Sequence, residues 1–171
     1  MEVSILTPAC TLVPTHFFNT TSAREILAEV ACLKESDSVK WVEVPQYDAV
    51  LVYAVENERV EALPELYYVL RDLPSCRDYN KIVASHKEGY LFLAIAQGGS
   101  LLLANVFQAA DFTTAEYYIF LAMKQLQLNP DVSTICMRSF VGPEEEMSLS
   151  RYFKSVEQIG GSSADPSRER P

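Results

Sequence analysis

Apolar and polar positions along this chain switch between two periods, and the switches mark out its elements. Val3 to Val13 is rich in β-branched residues but punctuated by Pro8 and Pro14, which predicts an interrupted strand at an edge or a bulge. Ser22-Ala23-Arg24-Glu25 has the S-x-x-E form of a capping box, in which hydroxyl and carboxylate each satisfy an orphan amide at a helix start. Ala23, Ile26, Leu27, Val30 and Ala31 then share one helical face, so a helix is expected to about Leu33. From Lys40 the period becomes two. Trp41 to Val44, a turn through Pro45 to Asp48 and the run Ala49 to Val55 predict a hairpin whose second strand, apolar at every position, is covered on both faces. A helix is expected within Glu56 to Asp72, where Pro64 suits only a first turn, and Arg71 to Asn80 reads as a connector.

The second half repeats the rhythm more clearly. Ile82 to Ser85 and Tyr90 to Ala96 read as strands joined through His86-Lys87-Glu88-Gly89. Gly98-Gly99 then supplies the positive φ angles of a type I′ turn, so Leu101 to Gln108 returns antiparallel. Thr113-Thr114-Ala115-Glu116 forms a second capping box, and Ala115, Ile119, Ala122, Met123 and Leu126 line a stripe that stops at Asn129-Pro130. Val132 to Met137 is a strand. Pro143 and the acids Glu144, Glu145 and Glu146 open a last helix with Leu149, Tyr152, Phe153 and Val156 on its buried face. From Gly160 onward there is almost nothing to bury, and residues 160–171 are expected to be a disordered tail.

Composition narrows the function classes. Of 171 residues 49% are hydrophobic, which fits a folded α/β protein rather than a disordered one. The formal charge of −9 makes phosphate backbones and anionic membranes poor partners. The longest apolar runs hold seven residues, far below the roughly 18 of a membrane span, and Met1 to Leu6 carries no basic segment followed by a long apolar stretch, so no secretory signal is expected. A cytoplasmic protein is the expectation. Cys10, Cys32, Cys76 and Cys136 form no C-x-x-C, which argues against a local metal site and reads as small core residues.

The long hairpin Lys81 to Gln108, the capped helix Thr113 to Leu128 and the strand Val132 to Met137 together resemble the ribonuclease-H-like half of actin-type ATPases. Tyr79 to Tyr90, Ala110 to Tyr117 and Glu144 to Met147 carry the resemblance to an uncharacterised Bacteroides-group family, the domain of unknown function 3822, with an actin-like ATPase fold. Thr11 to Pro14 is similar to the strand closing the first hairpin-and-helix unit of that family's N-terminal lobe. The resemblance implies an α/β fold of two incomplete lobes of mixed sheet covered by helices, with an N-terminal lobe over residues 1–78 and a ribonuclease-H-like lobe over residues 79–159. It also implies further elements on either side, so the chain is expected to be truncated at both ends and to self-associate through exposed strand edges.

Actin-type ATP binding needs glycine-rich hairpin turns that cradle phosphates and an acid that positions Mg²⁺. The one candidate is Gln97-Gly98-Gly99-Ser100, which lacks an Asp in the preceding strand and a Lys in the turn, and so reads as a plain hairpin turn. Neither phosphate-binding glycine motif occurs elsewhere. Cys76 with Asp78 and His86 is the single nucleophile-like grouping, and sequence proximity alone does not make it catalytic. No catalytic, metal or cofactor residue is therefore assigned. The leading reading is a non-catalytic actin-like scaffold working through a protein partner, with Tyr79, Lys81, His86, Lys87 and Glu88 crowding the lobe junction as contact residues. Two alternatives stay open. One is an ATP-binding protein or ATPase missing its upstream phosphate hairpin. The other is an RNA-linked accessory protein using the basic stretch Arg71 to Lys87, prompted by the ribosomal RNA methyltransferase genes that often lie beside the resembled family.

Overall fold

The structure is a computed structural model that describes residues 3–159. The expected disordered tail lies outside those residues. Among the described residues three sheets and four α-helices form in the order β1 (Ser4–Ile5), β2 (Cys10–Pro14), α1 (Ala23–Ala28), β3 (Ser38–Val44), β4 (Ala49–Val55), β5 (Leu63–Pro64) and α2 (Glu65–Asp72), followed by β6 (Asn80–Lys87), β7 (Tyr90–Gln97), β8 (Ser100–Gln108), α3 (Phe112–Gln125), β9 (Thr134–Met137), α4 (Pro143–Ser150) and β10 (Ser155–Gln158).

In the first sheet β4 lies between β2 and β3 and pairs antiparallel with both. All seven β4 residues are buried, as its unbroken apolar run requires. Val50, Val52 and Ala54 pack under Ala23 and Leu27 of α1, while Leu51 faces the opposite way, toward α2. Helix α1 is shorter than its stripe predicts. The Ser22 hydroxyl donates to the Asn19 carbonyl instead of capping, and the Arg24 guanidinium, donating to the carbonyls of Lys34 and Asp37 at 2.7 Å, draws the following segment back across the helix. Helix α2 likewise begins only at Glu65. The Lys40 ammonium holds the preceding loop open by donating to the carbonyls of Glu58 and Val60, and Leu63–Pro64 pairs parallel with β1.

The second sheet has the order β8-β7-β6-β9-β10, with β7 antiparallel to its neighbours and β9 and β10 parallel to β6. Its period-two alternation sorts side chains to two faces. Ile82, Ala84, Leu91, Leu93, Ile95, Ile135 and Met137 meet α3 and α4, whereas Val83, Phe92, Ala94, Ala96 and Cys136 meet α2 and, from the first sheet, Val44 and Leu51.

Local chemistry differs from the sequence reading at several joints. The turn with positive φ at both central residues, as type I′ demands, is Glu88-Gly89 (φ 50° and 81°), whereas in Gly98-Gly99 only Gly98 has positive φ (54°). Leu102 is an extra residue between the pairs Ala96–Leu101 and Ile95–Leu103, a bulge in β8. Helix α3 is capped two residues earlier than expected, by the Asp111 carboxylate accepting the Thr114 amide at 2.7 Å. It ends in a Schellman motif with Gln127 rather than glycine in the left-handed position, the Leu128 amide donating to the Met123 carbonyl. The last helix stops at Ser150, leaving Tyr152 exposed, and Val156 falls in β10, an edge strand that the helical reading did not anticipate. Among the described residues no helix is long and apolar enough to cross a membrane.

Candidate functional site

Strands β6, β9 and β10 run parallel and end at Lys87, Met137 and Gln158. Open α/β sheets hold ligands beyond such carboxyl ends. In this chain a buried charge network fills that place. Glu65 sits in the first turn of α2, where negative charge suits the helix dipole, and is wholly buried. Its Oε1 accepts the Ser4 hydroxyl at 2.6 Å, and its Oε2 accepts the Ser85 hydroxyl at 2.7 Å and Arg138 Nε at 2.9 Å. Lys87 Nζ stands 3.6 Å away. Arg138 follows β9 directly, its amide donating to the Ala84 carbonyl, and its Nη1 donates to Asp72 Oδ2 at 3.1 Å from the far end of α2.

The ring of Tyr68 carries cations on it: the Arg138 and Arg71 guanidinium carbons each lie 4.9 Å from its centroid, and Arg71 also pairs with Asp72. Removing a carboxylate and a guanidinium from water costs several kcal/mol per ion, and that cost is offset only by good hydrogen bonding; here Ser4, Ser85 and Arg138 donate to Glu65, and Arg138 reaches carboxylates through both Nε and Nη1. Around them the His86 amide donates to the Ser139 hydroxyl, and the Gln158 amide group donates to the carbonyls of Met137 and Ser139 while accepting the Val141 amide. The cluster is thus a rigid brace that joins α2 to the ends of β6 and β9.

The contact residues read from the sequence fall at two places rather than one. Tyr79 and Lys81 lie at the amino end of β6, while His86, Lys87 and Glu88 lie at its other end, with about 17 Å between Lys81 and His86 at roughly 3.3 Å per residue. Lys81 donates to the Cys76 carbonyl. A ring nitrogen of His86 is 2.9 Å from the Ala109 carbonyl, Lys87 leans toward Glu65, and Glu88 forms the turn. Tyr79 is 70% exposed and covers the glycine turn: the Gly98 amide donates to the Tyr79 carbonyl at 2.9 Å, and a Cβ at Gly98 would meet the ring at 3.1 Å. Gln97 donates to Asn80, and Gly99 and Ser100 complete the turn.

Cys76 does not join Asp78 and His86. Its sulfur lies 3.4 Å from that of Cys136, Asp78 pairs with Lys154 at 3.1 Å, and His86 is at the opposite end of β6. All four cysteines are free thiols, and among the described residues no group of three or more His, Cys, Asp or Glu side chains could hold a metal ion. Glu65 and Arg138 escaped the sequence reading. The available signals were a lone acid directly after Pro64 at the head of an apolar helix, and Arg138-Ser139 closing the apolar strand Ile135 to Met137.

With this geometry in view, the chain is similar to a crystal structure of a Bacteroides thetaiotaomicron protein with actin-like ATPase fold and unknown function. The TM-score is 0.75 at 17% identity, covering 92% of this chain and 67% of that one. The likeness shows the fold: α/β, of the actin-like ATPase type. No curated protein matches the chain. Residues 1–156 match the profile of the proteins of unknown function termed DUF3822, and the chain belongs to that family.

Proposed function

We propose that the protein is a non-catalytic actin-like scaffold that works through protein contacts. The observation that carries this reading is the Glu65–Arg138 pair, which places the chain's own charges where a sheet of this kind would receive a ligand. The residues fit ATP and Mg²⁺ poorly. Both Glu65 oxygens already accept hydrogen bonds from Ser4, Ser85 and Arg138, and the Gly98 amide is turned to a carbonyl rather than toward a phosphate. The basic stretch gives RNA little support either, since Arg71 and Lys87 face Asp72 and Glu65, and Lys81 is held by a backbone carbonyl.

Contacts have places to form. Tyr79, Tyr117, Met147 and Tyr152 are each more than half exposed, and edge strand β8 carries no charged residue from Ser100 to Gln108. The testing experiment is a thermal unfolding curve with and without saturating Mg²⁺ and ATP. A ligand at 100 times its dissociation constant stabilises a protein by about 2.7 kcal/mol. No shift is expected; a shift of that size would overturn the reading in favour of an ATP-binding protein.

A further inference from the structure

Cys76 and Cys136 are 60 residues apart in sequence and meet at the amino end of the five-stranded sheet. Cys136 is fixed in β9, opposite Val83 of β6. Cys76 is fixed by the 3₁₀ turn Leu73–Ser75, to whose first carbonyl its amide donates. Both side chains are buried, and their sulfurs are 3.4 Å apart. They line a cleft of about 240 Å³ whose mouth carries Arg77, Asp78, Lys154 and Glu157. Liquid water takes about 30 Å³ per molecule, so the cleft has room for a small oxidant. A disulfide needs a sulfur separation of about 2.05 Å, which the pair reaches by closing roughly 1.4 Å.

We propose that Cys76 and Cys136 form a dithiol site that small hydroperoxides oxidise to a reversible disulfide. The roles of the two sulfurs are unequal. The hydrogen-bonding contact with Cys136, and then the charge of Lys81, hold the Cys76 thiol below its ordinary range against the effect of burial. The Cys136 thiol is pushed up by that same contact and by burial. Cys76, whose carbonyl holds the Lys81 ammonium, is the attacking sulfur, and Cys136, fixed within β9, is the resolving one.

The Cys76 thiolate attacks one peroxide oxygen, the O–O bond breaks, and the leaving oxygen takes a proton to become water. That leaves a sulfenic acid on Cys76. Cys136, giving up its proton, attacks the Cys76 sulfur; the S–S bond forms, the S–O bond breaks, and a second water leaves. Two thiols and one hydrogen peroxide yield one disulfide and two waters. A dithiol reductant reverses the step by thiol–disulfide exchange.

The test treats the folded full chain with one equivalent of hydrogen peroxide, alkylates it under denaturing conditions and maps the peptides. Free thiols should fall from four to two, with a linked peptide joining Cys76 to Cys136 and Cys10 and Cys32 still alkylated; dithiothreitol should restore all four. In Cys136→Ser the linked peptide should vanish and Cys76 should become trappable by dimedone. The wild-type peptide map stands without that variant, so misfolding of Cys136→Ser does not spoil the test. Oxidation of exposed Cys32 ahead of Cys76, or disulfides only between chains, would overturn the proposal.

Discussion

Arg138 Nε and Glu65 Oε2 meet at 2.9 Å across 73 residues of sequence, with both side chains almost completely removed from water. One stands just past β9 and the other heads α2, so this single contact closes the end of the sheet.

Removing one partner should therefore cost far more than removing both. Arg138→Met leaves a buried carboxylate with two hydroxyls and a more distant Lys87, and should destabilise the protein by about 3 kcal/mol in urea unfolding. Adding Glu65→Gln should recover a large part of that loss. A double-mutant cycle reads the difference. A loss in Arg138→Met below about 1 kcal/mol would show that the pair does not brace the sheet.

The two glycines of the β7–β8 turn should respond differently. Gly98→Ala forces a side chain into φ 54° and against the Tyr79 ring, and should cost about 1–2 kcal/mol. Gly99→Ala meets nothing within 4 Å and should stay within about 0.5 kcal/mol of wild type. Equal losses in the two variants would contradict the turn geometry.

Gln158 ties edge strand β10 to the segment after β9. Gln158→Ala removes its bonds to Met137, Ser139 and Val141, leaving the Ser139 carbonyl and the Val141 amide to find water while the Met137 carbonyl keeps the Ile159 amide. A loss of about 2 kcal/mol is expected, with faster hydrogen exchange at the Val141 amide than at Ile135. Unchanged exchange at Val141 would remove Gln158 from this role.

How much of this was readable in the residues follows from where the signals lie. Strands β4 and β7 were visible as unbroken apolar runs of seven residues, and α3 as an apolar stripe at helical period. Strand β10 was not, since Ser155-Val156-Glu157-Gln158 has no apolar pattern and becomes a strand only because β9 offers it an edge. Nothing local distinguishes Glu88-Gly89 from a loop, whereas Gly98-Gly99 looked like the stronger type I′ signal. The charge network was hidden for a different reason. Glu65, Asp72, Lys87 and Arg138 are ordinary charged residues in four separate places, and only the tertiary fold makes them partners.

Alkaline pH offers a check on the first sheet. Burial pushes the Cys10 thiol up to about 12 from 9.0. Between those values the unfolded chain has lost this proton while the folded chain keeps it, so the folded state binds more protons and stability falls as pH rises. The stability fully present below pH 9.0 should decline by up to about 1.4 kcal/mol per pH unit from that source. The slope should be shallower in Cys10→Ala than in wild type. At pH 8 native Cys10 should resist alkylation while exposed Cys32 reacts, as peptide mapping would show.

Helix α2 precedes residue 79 in the chain, yet Leu66, Val69 and Leu70 cover Val83, Phe92, Ala94 and Ala96 of the sheet that follows it. Severing the chain between residues 78 and 79 would strip one whole apolar face from β6 and β7 and orphan the helix that covers it. The halves defined by topology should therefore not melt as separate units. Unfolding should proceed as one cooperative transition in which neither half survives the loss of the other.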